Sequence, residues 1–152
     1  MSFYQDSLEG KDFFISRSGY TAEDGFEVYV NWQNACGWWD AFISAGEEFD
    51  ITPCGLGSRD ILRIEAGYPL YGHEIDDSTN PYEAGLGWAI KLNHNFTGED
   101  GLIEKKKSGL GKRRIGFIMK DRGLPRQNYP ILADSKIIGN VTSAAFSPNI
   151  SA

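Results

Sequence analysis

Residues 11–31 read KDFFISRSGYTAEDGFEVYVN, and this stretch decides the architecture. Its ends, KDFFISR over 11–17 and GFEVYVN over 25–31, are dense in aromatic and β-branched side chains, and the segment between them carries the Ser, Gly, Thr, Asp and Gly of turn chemistry. Two strands joined by a turn-rich loop are the expectation. Within the second strand Glu27 lies between apolar Phe26 and Val28. Strand alternation therefore turns its carboxylate away from their face, either to solvent or into a polar pocket.

Working outward, residues 34–48 place Ala35, Trp38, Trp39, Phe42 and Ile43 at three- and four-residue intervals, which predicts an amphipathic helix whose indoles belong mostly to a core. Residues 55–66 alternate Leu56, Ile61, Leu62 and Ile64 with Arg59, Asp60, Arg63 and Glu65, a second helix stopped by Gly67. Arg59 has no local partner there, since Glu65 is out of register and Arg63 at i+4 is a like charge. That leaves it open to a longer-range one. After an acidic loop around Glu74, Asp76 and Asp77, residues 86–90 read as a strand. Thr97 is placed to cap a third helix through Lys107, with Glu99 and Asp100 in its first turn and three lysines in its last. Beyond Gly109 and Gly111 the pattern changes to short strands at 113–119, 130–133 and 136–142. The expected organisation is an α+β unit over 1–95, a connecting helix and linker over 96–111, and a separate antiparallel β unit from 112 to 152.

The 41% apolar and 13% aromatic content is that of a globular protein, and no apolar run approaches the roughly 20 residues a membrane-spanning helix needs. The first residues lack the basic region and apolar stretch of a signal peptide. A cytoplasmic location is expected. Cys36 and Cys54 are too few and too far apart for a disulfide framework or a CxxC metal site, and they read as reduced core residues. The net charge of −6 divides into −13 through residue 100 and +7 beyond it. The acidic part repels nucleic acid. The basic residues Lys105, Lys106, Lys107, Lys112, Arg113 and Arg114 read as a solvated helix end and strand start, or as a docking patch for an acidic partner. His73 and His94 lie in separate loops, so spacing supports neither a nucleophile triad nor a two-histidine metal site. The glycines of Gly55-Leu56-Gly57 lack the third glycine of a dinucleotide fingerprint.

Several longer motifs occur in order: residues 16–27 (SRSGYTAEDGFE), 54–60 (CGLGSRD), 62–67 (LRIEAG), 70–74 (LYGHE), 80–88 (NPYEAGLGW), 123–126 (GLPR) and 141–148 (VTSAAFSP). Together these resemble the successive signatures of the glycine cleavage T-protein, or aminomethyltransferase, family, over nearly the whole chain. The resemblance implies the second half of the family's α+β folate-binding region followed by the start of its antiparallel β-barrel C-terminal domain. It implies a tetrahydrofolate-dependent enzyme that passes the aminomethyl carbon from the lipoyl arm of a carrier protein, the H-protein of the glycine cleavage system, to tetrahydrofolate and releases ammonia. By position Glu27 resembles the glutamate that grips the pterin, whose 2-amino group and ring N–H form a paired donor edge for one carboxylate. Arg59 resembles the arginine that contacts the folate, and Tyr68 is placed as an aromatic wall.

There are departures. Ala22 and Ala144 stand where the family usually has glycine. The family's catalytic aspartate belongs to a segment upstream of anything in these 152 residues, and the final residues 149–152 stop before the last barrel strands and their ligand-contacting arginine. Folate-dependent demethylases of the same fold stay open, as does a non-enzymatic folate-binding fragment. A folate-binding iron–sulfur maintenance protein is set aside for want of its Lys-Gly-Cys-Tyr motif.

Overall fold

The computed structural model describes residues 2–8 and 10–149. It divides into two compact units, Met1–Ala66 and Gly67–Ala152. The first is built on a three-stranded antiparallel sheet in the order β1 (Phe3–Leu8), β2 (Lys11–Ser16), β3 (Glu27–Val30). The two strands expected around the turn-rich loop are β2 and β3. β1 carries no alternation that sequence reading could use, because all six of its residues are exposed. Registers Gln5↔Phe14↔Tyr29 and Phe3↔Ser16↔Glu27 put those residues on one face. There Phe14 lies 5.4 Å from the Phe3 ring and 5.6 Å from Tyr29. The opposite face, with Phe13, Ile15, Val28 and Val30, receives α1 (Ala35–Gly46) through Trp38, whose ring meets Phe13 edge-on at 5.2 Å and Phe42 at 5.8 Å. Such pairs add about 0.5–1.5 kcal/mol beyond area burial.

The helical stripe is real, yet only partly covered. Trp39 is 55% and Phe42 41% exposed and Trp38 is half-buried, so the expectation that the indoles are core is met in part by Trp38 and fails for Trp39. Both cysteines are free thiols, but both are exposed, which corrects the core assignment of Cys36 and Cys54. The second helix, α2 (Leu56–Glu65), ends at Ala66 before Gly67, whose φ of 69° suits a residue without a Cβ. Its largest buried side chain is Arg63, 1% exposed, which hydrogen-bonds to Asp60 at 2.7 Å.

The second unit is mostly turns before and after one helix. The Asn80 side chain accepts from the amides of Tyr82 and Glu83, and the Asn80 amide donates back to the Glu83 carboxylate, so residues 80–83 close reciprocally. Residues 86–90 are not a strand. They form a 3-10 turn (Gly87–Ala89) with bonds from Ala89 N–H to Leu86 and Ile90 N–H to Gly87, and a Cβ at Gly87 would lie 3.0 Å from the Tyr82 ring. α3 (Glu99–Ser108) has the expected acids first and lysines last, but its cap is Gly98 at φ 93°, not Thr97. β4 (Pro130–Ala133) and β5 (Lys136–Asn140) pair antiparallel through Asp134 and Ser135, both at positive φ as a two-residue type I′ turn requires. Residues 113–119 form no strand, because no neighbouring strand pairs with them among the described residues; alternation makes a segment strand-compatible but cannot supply its partner. The expectation at the last residues falls on 150–152, outside the described residues. No described helix is long and apolar enough to cross a membrane.

Candidate functional site

The loop between β2 and β3 gathers the two polar side chains that the sequence singles out. Glu27 opens β3 directly opposite Ser16 of β2, and cross-strand partners on one face stand about 4.5–5.5 Å apart at Cβ. Ser18, two residues past Ser16, has its hydroxyl 2.9 Å from Ser16 Oγ and donates to Glu27 Oε2. A serine hydroxyl has one proton, so with that proton on the carboxylate the Ser16 hydroxyl donates to Ser18. The chain Ser16, Ser18, Glu27 therefore fixes one carboxylate oxygen. Among the described residues no protein donor reaches Oε1, and an ionised carboxylate has about four lone-pair sites, which leaves most of the group open to a ligand.

Arg59 stands in the first turn of α2, after the extended residue Gly55 that starts the helix. Its guanidinium lies over the Tyr20 ring, 4.5 Å from the centroid. This cation–π contact engages the guanidinium without using a hydrogen bond of its N–H donors. No described carboxylate or carbonyl accepts from them. Glu27 and Arg59 thus each touch the same turn, Ser18-Gly19-Tyr20, one through Ser18 and the other through Tyr20. The loop is closed by an Arg17–Asp24 ion pair at 3.1 Å, and Arg17 N–H donates to Ser2 O at 2.8 Å. Sequence reading did not find Ser16, Ser18 or Tyr20. Alternation and the i+2 spacing of the serines were the signal, but a turn's shape had to be known to place them.

Other candidates lie elsewhere. An open groove of about 470 Å³ beside the hairpin is lined by Gln5, Lys11, Asp12, Phe14, Tyr29 and Asn31, and Glu27 and Arg59 are not part of it. Tyr68 belongs to the second unit and is 37% exposed. In that unit His73 Nδ1 is 3.3 Å from Thr142 O and 3.5 Å from Ser143 Oγ. The acidic loop is engaged locally: Glu74 accepts from Leu70 N–H, Asp77 from Tyr71 O–H, and Asp76 from Ser78 and Thr79. Those bonds hold the Asp76 carboxyl below its ordinary pKa, chiefly through the Ser78 hydroxyl. Arg114, read from sequence as part of a solvated run, is instead a structural donor, to Ala84 O at 2.9 Å and to Gly67 O. Lys105, Lys106 and Lys107 are exposed.

Two family models match in tandem: the GCVT N-terminal domain over residues 1–94 and the glycine cleavage T-protein C-terminal barrel domain over residues 112–152. The chain belongs to the glycine cleavage T-protein family. Similar T-proteins include the aminomethyltransferase of Symbiobacterium thermophilum, 49% identical over 138 residues, and that of Alkaliphilus oremlandii, 48% identical over 144. These alignments cover 90% and 94% of this chain but only 37% and 39% of the relatives. The crystal structure of glycine cleavage system aminomethyltransferase T from Bartonella henselae superposes with a TM-score of 0.82 at 33% identity, covering 90% of this chain and 38% of that one. The mixed α+β fold with a barrel segment is accordingly that of the T-protein family.

Proposed function

We propose that this chain supplies the tetrahydrofolate-gripping part of a glycine cleavage aminomethyltransferase. In this reading residues 1–95 contribute to the folate-binding domain, 96–111 connect, and 112–152 begin the barrel. Glu27 accepts the paired donor edge of the pterin, Arg59 donates its planar fork to a folate carbonyl or carboxylate, and Tyr68 offers an aromatic wall. The observation that carries the reading is that Glu27 and Arg59 are braced by one turn while their ligand-competent edges have no protein partner among the described residues. A carboxylate and a guanidinium held this way suit a ligand with a paired donor edge at one end and acceptors at the other. The exposed Lys105, Lys106 and Lys107 are the docking side for an acidic lipoyl carrier protein, whose aminomethyl group passes to tetrahydrofolate with release of ammonia.

Calorimetric titration of tetrahydrofolate into the chain tests the grip. Glu27→Gln puts an amide N–H₂ against pterin donors and should weaken binding about 10- to 100-fold, the scale of a hydrogen bond to a charged group. Unchanged affinity in both Glu27→Gln and Arg59→Ala would refute the assignment. The 152-residue polypeptide assayed alone with lipoyl carrier should release ammonia about 10² to 10⁴-fold more slowly than a full-length relative, because the resemblance places the aspartate that serves the reacting folate nitrogens in a segment outside these residues. Carrier binding should weaken steeply with salt and fall when the three lysines are neutralised.

A further inference from the structure

We propose that Ser18 and Tyr20 are positioning residues that preset Glu27 and Arg59 for ligand, so that one three-residue turn aims both ends of the grip. The inference rests on the reading of Glu27 and Arg59 as folate-binding groups. Ser18 occupies the junction of a hydroxyl chain that begins at Ser16, a residue only 8% exposed. Its donated proton selects one rotamer of an otherwise exposed glutamate. Without it, Glu27 at the start of a strand would sample several rotamers and would have to be ordered by the ligand itself. Tyr20 performs the same task by a different contact. The ring lies under the Arg59 guanidinium at 4.5 Å and restrains the position of the group without using a hydrogen bond of its donors. Because Ser18 and Tyr20 are separated by Gly19 alone, any displacement of the turn moves both groups together. The Arg17–Asp24 ion pair spans the loop and limits that displacement, although its exposure of 58% and 92% makes it a minor contributor.

The test is made in the full 152-residue chain with four substitutions: Ser18→Ala, Ser18→Thr, Tyr20→Leu and Tyr20→Phe. NMR reads the positioning without ligand, from the side-chain scalar couplings of Glu27 and the ring-current shift of the Arg59 δ-methylene protons. Ser18→Ala should average the Glu27 couplings, and Ser18→Thr, which keeps the hydroxyl, should restore them. Tyr20→Leu should abolish the Arg59 ring-current shift, and Tyr20→Phe should retain it. In a parallel titration with tetrahydrofolate, Ser18→Ala and Tyr20→Leu should each weaken binding about three- to tenfold, the factor expected when one flexible side chain must be immobilised on binding. Ser18→Thr and Tyr20→Phe should bind as the parent does. Unchanged Glu27 couplings in Ser18→Ala, or equal losses in Tyr20→Phe and Tyr20→Leu, would overturn the positioning role. If tetrahydrofolate fails to bind the parent chain while the NMR signatures respond as stated, the folate assignment fails and the positioning geometry stands.

Discussion

Ala22 lies in the loop that carries both braces and has φ 64°, in the left-handed region. An L-residue with a Cβ pays about 1–2 kcal/mol for that conformation because the Cβ crowds the following carbonyl. Glycine removes this strain but gains unfolded-state entropy, which returns about 0.4–1 kcal/mol. Ala22→Gly should therefore stabilise the first unit by roughly 0.5–1 kcal/mol net. For a unit the size of Met1–Ala66, each kcal/mol moves the melting midpoint about 4–8 °C, so a rise of about 3–6 °C is expected. Thermal and urea melts followed by circular dichroism measure it, with an unchanged urea slope showing that the effect belongs to the folded loop. A midpoint that stays put or falls would show that the backbone at Ala22 is not strained. Tetrahydrofolate affinity should change little, since Ser18 and Tyr20 keep their contacts.

Asp60→Ala removes the carboxylate that meets the nearly inaccessible Arg63 at 2.7 Å. Since Asp60 itself is 44% exposed and Arg63 keeps a further interaction, the cost should be about 1 kcal/mol, below the 3–5 kcal/mol of a wholly buried pair, and the melting midpoint should fall by about 4–8 °C; an unchanged midpoint would mean that the pair adds nothing to stability. The depressed pKa of Asp76 makes the turn at Ser78 and Thr79 acid-sensitive. A group whose folded pKa lies below its unfolded value stabilises above the unfolded value and loses that contribution as pH falls through the folded one. The Ser78 and Thr79 amide shifts should therefore move only below the ordinary carboxylate range, and in Asp76→Ala they should not titrate in that window.

Legibility followed range of interaction. α1 and α2 were readable because a 3.6-residue stripe and a terminal glycine are local signals, and β2 and β3 because their side chains and the intervening turn declare themselves. What failed needed information from another segment. β1 is a strand only because β2 pairs with it, and residues 113–119, equally strand-like, lack such a neighbour among the described residues. The turn at Gly87 depends on the close approach of Tyr82, and the tie of Arg114 to Ala84 spans thirty residues. In the candidate site, Glu27 and Arg59 came from motif resemblance and from the lack of a local partner for Arg59. Their supports, Ser18 and Tyr20, came only with the fold of the loop between them.

Burial explains why the site shows its supports but no enclosure. The accessible surface is 12245 Å², against roughly 7,700 Å² for a folded monomer of this mass. Only Ala84 and Val141 are fully buried apolar side chains among the described residues, while Phe3, Trp32, Phe49 and Trp88 are each more than 70% exposed. An unfolded chain of this mass exposes roughly 24,500 Å², so surface left in water on this scale withholds about a quarter of the burial that a folded chain of this length ordinarily gains. The chain spans about two fifths of the relatives it matches, and apolar faces of this extent fit a fold in which further polypeptide does the covering. Orientation and enclosure then separate physically. The braces on Glu27 and Arg59 are local, made within one loop and one helix turn, and they persist here. Exclusion of water from the ligand is not local, so affinity measured on this chain reflects orientation in a high dielectric, where each charged contact is worth a fraction of its enclosed value. Substitutions at Ser18 and Tyr20 should for that reason produce fold-changes similar to those in a longer T-protein, whereas absolute affinity should be lower throughout.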